Sequence, residues 1–215
     1  MILSRGRRYI FLHPPKTGGT ALTLALEARA MKDDIIVADT PKGRARARRQ
    51  KDLPARGRLW KHSTLSDLGG LVSEAEMDDF LIVTLVRNPW DRVVSYYHWL
   101  REQSFRHPAV ARAKALDFSQ FLNSVETVAE LRAQSYADFV TDAQGQEREA
   151  LFIRFEAMEE GLSRLEAHLG FRPGPLPRVN VSARDPDWRR YYSDREAEIV
   201  ARISAVDIEK FNYRF

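Results

Sequence analysis

Two short stretches of this sequence set cationic and hydroxyl side chains where strands give way to helices. The first is Tyr9-Ile10-Phe11-Leu12-His13-Pro14-Pro15-Lys16-Thr17-Gly18-Gly19-Thr20-Ala21-Leu22. Lys16 brings a full positive charge, Thr17 and Thr20 bring hydroxyls, and Gly18-Gly19 let the backbone pass close to a bulky anion. Backbone N–H groups at a helix start, with a cation beside them, bind anions. The second stretch is Arg87-Asn88-Pro89-Trp90-Asp91-Arg92-Val93-Val94-Ser95. Here a guanidinium at a strand end and the Ser95 hydroxyl on the next helix can converge on one phosphate. The phosphate loop of ATP and GTP enzymes needs Gly-x-x-x-x-Gly-Lys-Ser/Thr, whereas Lys16 precedes its glycines. Those enzymes also end a strand in the Asp that holds Mg²⁺. This one ends in Arg87, which argues for anion binding without a metal.

The elements that must position these residues follow from pattern. Tyr9 to Leu12 are apolar and β-prone, Pro14-Pro15 cannot continue a ladder, and Leu22, Ala25 and Leu26 recur at helical spacing over roughly 18–31. A weak strand follows at Asp34 to Ala38. Leu59 to Ser63 reads as a strand end before a helix start at Ser63 or Thr64. Phe80 to Val86 is a near-continuous apolar run, as in a parallel strand covered on both faces. The helix after it reaches about Gln103, with Val93, Tyr97 and Leu100 turned to the core. His107 to Leu116 reads as a loop or frayed helix, Asp117 as a helix cap, and Glu126 to Asp142 as mostly helical. Leu151 to Glu156 is a further strand. The next helix carries Met158, Leu162, Leu165 and Leu169, and Gly170 stops it. Pro173 to Pro177 is a rigid connector, and Ser193-Asp194-Arg195-Glu196 is a capping box before a last helix with Ile199, Ile203 and Val206 inward. Strands alternating with helices predict an α/β three-layer fold around a central parallel sheet, formed by one domain over 1–215.

Composition narrows the chemistry. The 215 residues are 44% hydrophobic, enough for one full core, and contain no cysteine, which excludes disulfides and thiolate metal sites. The net charge of +4 is uneven: Lys42 to Lys61 holds nine basic residues and one acid, so that segment is +8 and the rest of the chain −4. The segment reads as a mobile solvated loop, as an electropositive lip for an anionic substrate, or as a nucleic-acid contact. No aromatic residue interrupts it before Trp60, so base stacking has little support. The longest apolar run is too short to span a bilayer, and Met1 lies only a few residues ahead of the first strand, so the expectation is a chain without a signal peptide or anchor.

Pro15-Lys16-Thr17-Gly18-Gly19-Thr20 resembles the 5′-phosphosulfate loop of sulfotransferases that use 3′-phosphoadenosine 5′-phosphosulfate (PAPS), closest to the carbohydrate-type branch. Arg87-Asn88-Pro89 followed by Ser95-Tyr96-Tyr97 is similar to the same family's 3′-phosphate motif, in the expected order. The resemblance implies the sulfotransferase fold with a P-loop-like phosphosulfate-binding loop. It also implies sulfuryl transfer to a hydroxyl of a sugar or polysaccharide acceptor, with 3′-phosphoadenosine 5′-phosphate as product and no metal. Lys16, Thr17, Gly18, Gly19 and Thr20 are then the phosphosulfate ligands, with Lys16 stabilising the leaving group. Arg87 and Ser95 are then the 3′-phosphate ligands. A Lys-His-Ser/Thr stretch between the motifs supplies the base in such relatives, which points to His62 in Lys61-His62-Ser63, with His13 as rival. Relatives close a loop over the nucleotide where Ser182 and Arg184 stand, making these two further candidates. Golgi members of the family carry an anchor, so the expectation here is a soluble, bacterial, cytoplasmic enzyme. Two other classes are an ATP-dependent phosphotransferase with an atypical loop and a basic nucleic-acid-binding module.

Overall fold

The computed structural model describes residues 1–179 and 183–215. In chain order the regular elements are β1 (Ile2–Ser4), β2 (Tyr9–Leu12), α1 (Gly19–Ala28), β3 (Ile35–Ile36), α2 (Pro41–Arg46), α3 (Glu74–Asp79), β4 (Leu81–Val86), α4 (Pro89–Glu102), α5 (Pro108–Ala115), α6 (Phe118–Asn123), α7 (Val125–Arg132), β5 (Ala150–Arg154), α8 (Met158–Leu169), α9 (Asp194–Ile203) and α10 (Ala205–Phe211). Short 3₁₀ turns lie between them. The chain packs as two compact units. The first is Met1–Val86 with Tyr136–Val179; the second is Arg87–Ser135 with Asn180–Phe215, of which 183–215 are described. No described helix is long and apolar enough to cross a membrane.

The first unit is built on a sheet of order β3-β1-β2-β4-β5. β2, β4 and β5 run parallel, with Phe11 opposite Val83 and Val83 opposite Leu151. β1 is antiparallel to both β2 and β3, so β3 points the same way as β2. The sheet is therefore mostly parallel, with one antiparallel strand that sequence reasoning did not predict. A three-residue strand carries too little periodicity to be seen alone, and a tight turn, with Arg8 N–H donating to Arg5 O at 3.2 Å, folds it onto β2. Strand alternation sorts the core. Leu3, Ile10, Leu12 and Ile82 face Leu65, Leu68, Leu71, Met77 and Val140. Ile2, Tyr9, Phe11, Val83, Leu151 and Ile153 face Leu22 and Leu26 of α1 and Leu162 and Leu165 of α8. Three layers result, as period two along strands and 3.6 along helices requires.

Two stretches of this unit differ from the sequence reading. Leu59 to Ser63 is a turn, not a strand: Ser63 N–H donates to Trp60 O at 3.1 Å, and Trp60 N–H donates to Ser63 Oγ at 2.9 Å. The helix start expected at Ser63 or Thr64 comes later, as a 3₁₀ turn at Ser66–Leu68. The basic run folds into α2 and a 3₁₀ turn over Ala47–Gln50, with its long side chains donating to backbone carbonyls. Arg46 reaches Asp34 O at 2.6 Å and Met31 O at 2.8 Å, Arg49 reaches Lys32 O at 2.6 Å, and Lys42 reaches Glu27 O at the end of α1. Cations beside the last carbonyls of a helix satisfy acceptors that have no intrahelical donor.

The second unit is organised on α4, whose Val93, Val94, Tyr97 and Leu100 are buried. Tyr97 packs on Phe118 and Phe121 with ring centroids 5.4 and 5.2 Å away. Asp117 caps α6 with a full capping box, as expected, and Ser193 does the same for α9. His107 to Leu116 proves to be a regular helix, capped by the His107 side chain. The last helix breaks at Ser204, which shifts its register: Val200 is buried, and Val206, expected inward, is 65% exposed.

Candidate active site

In the first unit β2 delivers the chain to a loop at the carboxyl edge of the parallel strands, where open α/β sheets bind ligands. Lys16 and Gly18 both take left-handed backbone, at φ 69° and 86°, and flank Thr17. A lysine in that region is strained, and such strain clusters where loop shape is functional. Thr17 is fully buried and donates its hydroxyl to Pro14 O at 2.8 Å, pinning the turn. α1 then starts with no side-chain cap and no acid in its first turn. The positive end of that helix therefore has no carboxylate of its own first turn beside it. Gly19 has a second reason to lack a side chain. A Cβ there would lie 2.1 Å from His13 Nδ1 and 2.2 Å from its Cγ.

That packing links the loop to the predicted base. His13 is buried, stacked on Phe11 at 5.5 Å, and burial chiefly holds its pKa well below the usual imidazole value of 6.5. His62 stands edge-on to it at 4.8 Å, with Trp60 on a further side at 5.1 Å. The His62 Nδ1 lies 2.9 Å from the His13 carbonyl oxygen. A carbonyl only accepts, so Nδ1 carries the proton in the neutral ring and the basic lone pair sits on Nε2. Lys61 pairs with Asp39 at 2.7 Å, and that bond holds the Asp39 carboxyl below its ordinary pKa.

In the second unit Arg87 follows the last residue of β4. Asn88 caps α4 by accepting from Trp90 N–H at 3.1 Å and donates to Arg214 O at 2.9 Å. Arg87 donates to Asp91 Oδ2 through Nε at 2.8 Å and Nη2 at 2.7 Å. Arg184 takes the other oxygen, Nη2 to Oδ1 at 2.6 Å. All three side chains are about nine-tenths buried, and Arg184 Nη1 is buried without a partner. Arg87 and Arg184 thus share the Asp91 carboxylate in a buried ion-pair triad. Ser95, also buried, lies one helical turn beyond Asp91 on the same face.

Sequence reasoning missed Asp91. Its signal was present as an Arg87/Asp91 pair at i,i+4 beginning a helix, but the partner that completes the cluster is 93 residues away. Lys16, Thr17, Gly18, Gly19, Thr20 and His62 all lie in the first unit, with His62 tied to the loop through His13. Arg87, Ser95 and Arg184 lie in the second, where Asp91 joins the two arginines. Ser182 lies outside the described residues.

The crystal structure of mouse sulfotransferase SULT7A1 complexed with PAP is similar to this chain, with a TM-score of 0.51 at 18% identity over 91% of this chain and 82% of that one. The chain has the sulfotransferase fold. No protein-family model matches the sequence, and no curated protein matches it. At this identity the likeness speaks to fold, and the chemistry rests on the residues.

Proposed function

We propose that the protein transfers a sulfuryl group from PAPS to a hydroxyl of a sugar acceptor. The observation that carries this reading is the loop 13–20, turned by two left-handed residues around an uncapped helix start, with a histidine base anchored to its first residue. The N–H groups of Thr17, Gly18, Gly19 and Thr20 hold the 5′-phosphosulfate, and Lys16 neutralises charge on the bridging oxygen as the S–O bond breaks. His62 Nε2 takes the proton of the acceptor hydroxyl, whose oxygen bonds to sulfur; a sulfate ester and 3′-phosphoadenosine 5′-phosphate (PAP) are the products. Arg87, Ser95 and Arg184 hold the 3′-phosphate, which distinguishes this donor from ATP. No step calls for a metal. The likeness to a fold crystallised with PAP supports the choice of donor.

The test is incubation with PAPS carrying radioactive sulfur and a panel of sugars, comparing wild type with His62→Ala. The wild type should label at least one sugar, and His62→Ala should lose about 100-fold or more of the rate. Near-full turnover by His62→Ala would show that another group is the base.

A further inference from the structure

A cleft of about 460 Å³ opens in the first unit between the segment leaving β3, α2 with its following 3₁₀ turn, and residues 53–59. Nothing in the chemistry above uses it. We infer that it is the acceptor subsite and that it takes an acidic saccharide, one bearing a uronate carboxylate. This rests on the sulfotransferase reading for the word acceptor, but the binding claim stands on the cleft.

Three observations carry it. The first is Gln50, a cleft-lining residue only 8% exposed whose Nε2 and Oε1 are both buried without a hydrogen-bond partner. Buried amides are nearly always satisfied, and one that is not suits a ligand with a donor and an acceptor close together, as vicinal hydroxyls have. The second is charge. Asp39, Arg44, Lys51 and Arg58 line the same cleft, and Asp39 is already paired with Lys61. Among the described residues neither Lys51 nor Arg58 forms an ion pair, so the lining keeps a positive surplus that matches a carboxylate. Asp39, its charge matched by Lys61, accepts from hydroxyls, which a sugar acid presents beside its carboxylate. The third is position. β3 points the same way as β2, so the cleft begins at the same edge of the sheet as the loop 13–20. Its wall residue Leu59 precedes Trp60, whose ring stands against His62, and Asp39 pairs with the residue just before His62.

The probe is methyl β-D-glucuronide, with methyl β-D-glucoside as its neutral counterpart, titrated by NMR into the full chain. The variants are Arg58→Ala, an exposed change that leaves the core intact, and Gln50→Leu, with thermal unfolding as a check on the fold. The glucuronide should bind more tightly than the glucoside. Arg58→Ala should erase most of that difference, about tenfold, and Gln50→Leu should weaken both sugars. PAP is titrated into the same wild-type sample. Equal binding of the two sugars, or binding indifferent to both variants, overturns the proposal whatever PAP does. Failure of PAP alone overturns the donor and leaves the saccharide site standing.

Discussion

Replacing Gly19 by alanine puts a methyl carbon 2.1 Å from His13 Nδ1, 2.2 Å from its Cγ and 2.7 Å from its Cβ. Ordinary contact begins at 3.4 Å, so the ring must retreat by 1.3 Å, the difference between 3.4 and 2.1 Å. It has little room, being 4% exposed, stacked on Phe11 and edge-on to His62. Overpacking of this kind costs ~1–3 kcal/mol. Helix propensity alone would favour alanine by up to ~1 kcal/mol, so the sign of the change separates the two effects. In a chain of this size the overpacking alone should lower the melting temperature by roughly 2–12 °C, of which the propensity gain offsets at most about 4 °C. Because the His13 carbonyl holds His62, sulfuryl transfer should fall further than stability, on the order of 100-fold for a displacement near 1 Å. Circular-dichroism melting and the labelled-sulfate assay read the two effects. Adding His13→Gly, which removes the imidazole together with the Cβ that stands 2.7 Å from the new methyl, should relieve the clash, with a favourable coupling of ~1–2 kcal/mol in the double-mutant cycle. A Gly19→Ala protein that melts with the wild type, or a double variant showing no coupling, would refute the packing argument. In that case the glycine would serve anion approach alone.

His13 also predicts a pH dependence. Burial depresses its folded pKa below 6.5, so the unfolded chain binds the extra proton, and the stabilisation present above about 6.5 is lost as pH falls toward the folded value. Melting followed from pH 7 to 5 should show an extra loss of up to ~1.4 kcal/mol per pH unit that His13→Gln removes; parallel curves for the two proteins would contradict it. Arg87→Ala removes one of the two guanidiniums on Asp91 and, on the proposed role, should raise the dissociation constant for PAP by about 10- to 150-fold while leaving ADP nearly unchanged. Equal losses for both nucleotides, measured by calorimetry, would detach Arg87 from the 3′-phosphate. Asp91→Ala leaves two buried guanidiniums without their counter-ion and should cost ~3–5 kcal/mol in urea unfolding, where a loss under about 1 kcal/mol would be inconsistent with the cluster.

The parts of the fold that were legible in the sequence are those with strong period or a capping residue: β2 with its loop, β4, β5 with α8, and the starts of α6 and α9. The parts that were not depend on partners remote in sequence. The arginines of the basic run count as charge in a composition, yet two of them, Arg46 and Arg49, donate to the carbonyls of residues 31–34. β1 is stable only because β2 and β3 lie on either side of it. The candidate site divides the same way. Lys16 to Thr20 and Arg87 announce themselves by spacing, whereas Asp91 acquires meaning only when Arg184 folds back onto it, and Gly19 only when His13 is seen beside it.

The central claim is the donor, and calorimetric titration of wild-type protein without metal tests it most directly, using PAP and, separately, ADP. The account predicts clear saturable binding of PAP and at least about tenfold weaker binding of ADP, because the 3′-phosphate is the group that Arg87, Ser95 and Arg184 are proposed to hold. Equal affinity for the two nucleotides, or binding that requires Mg²⁺, would contradict it.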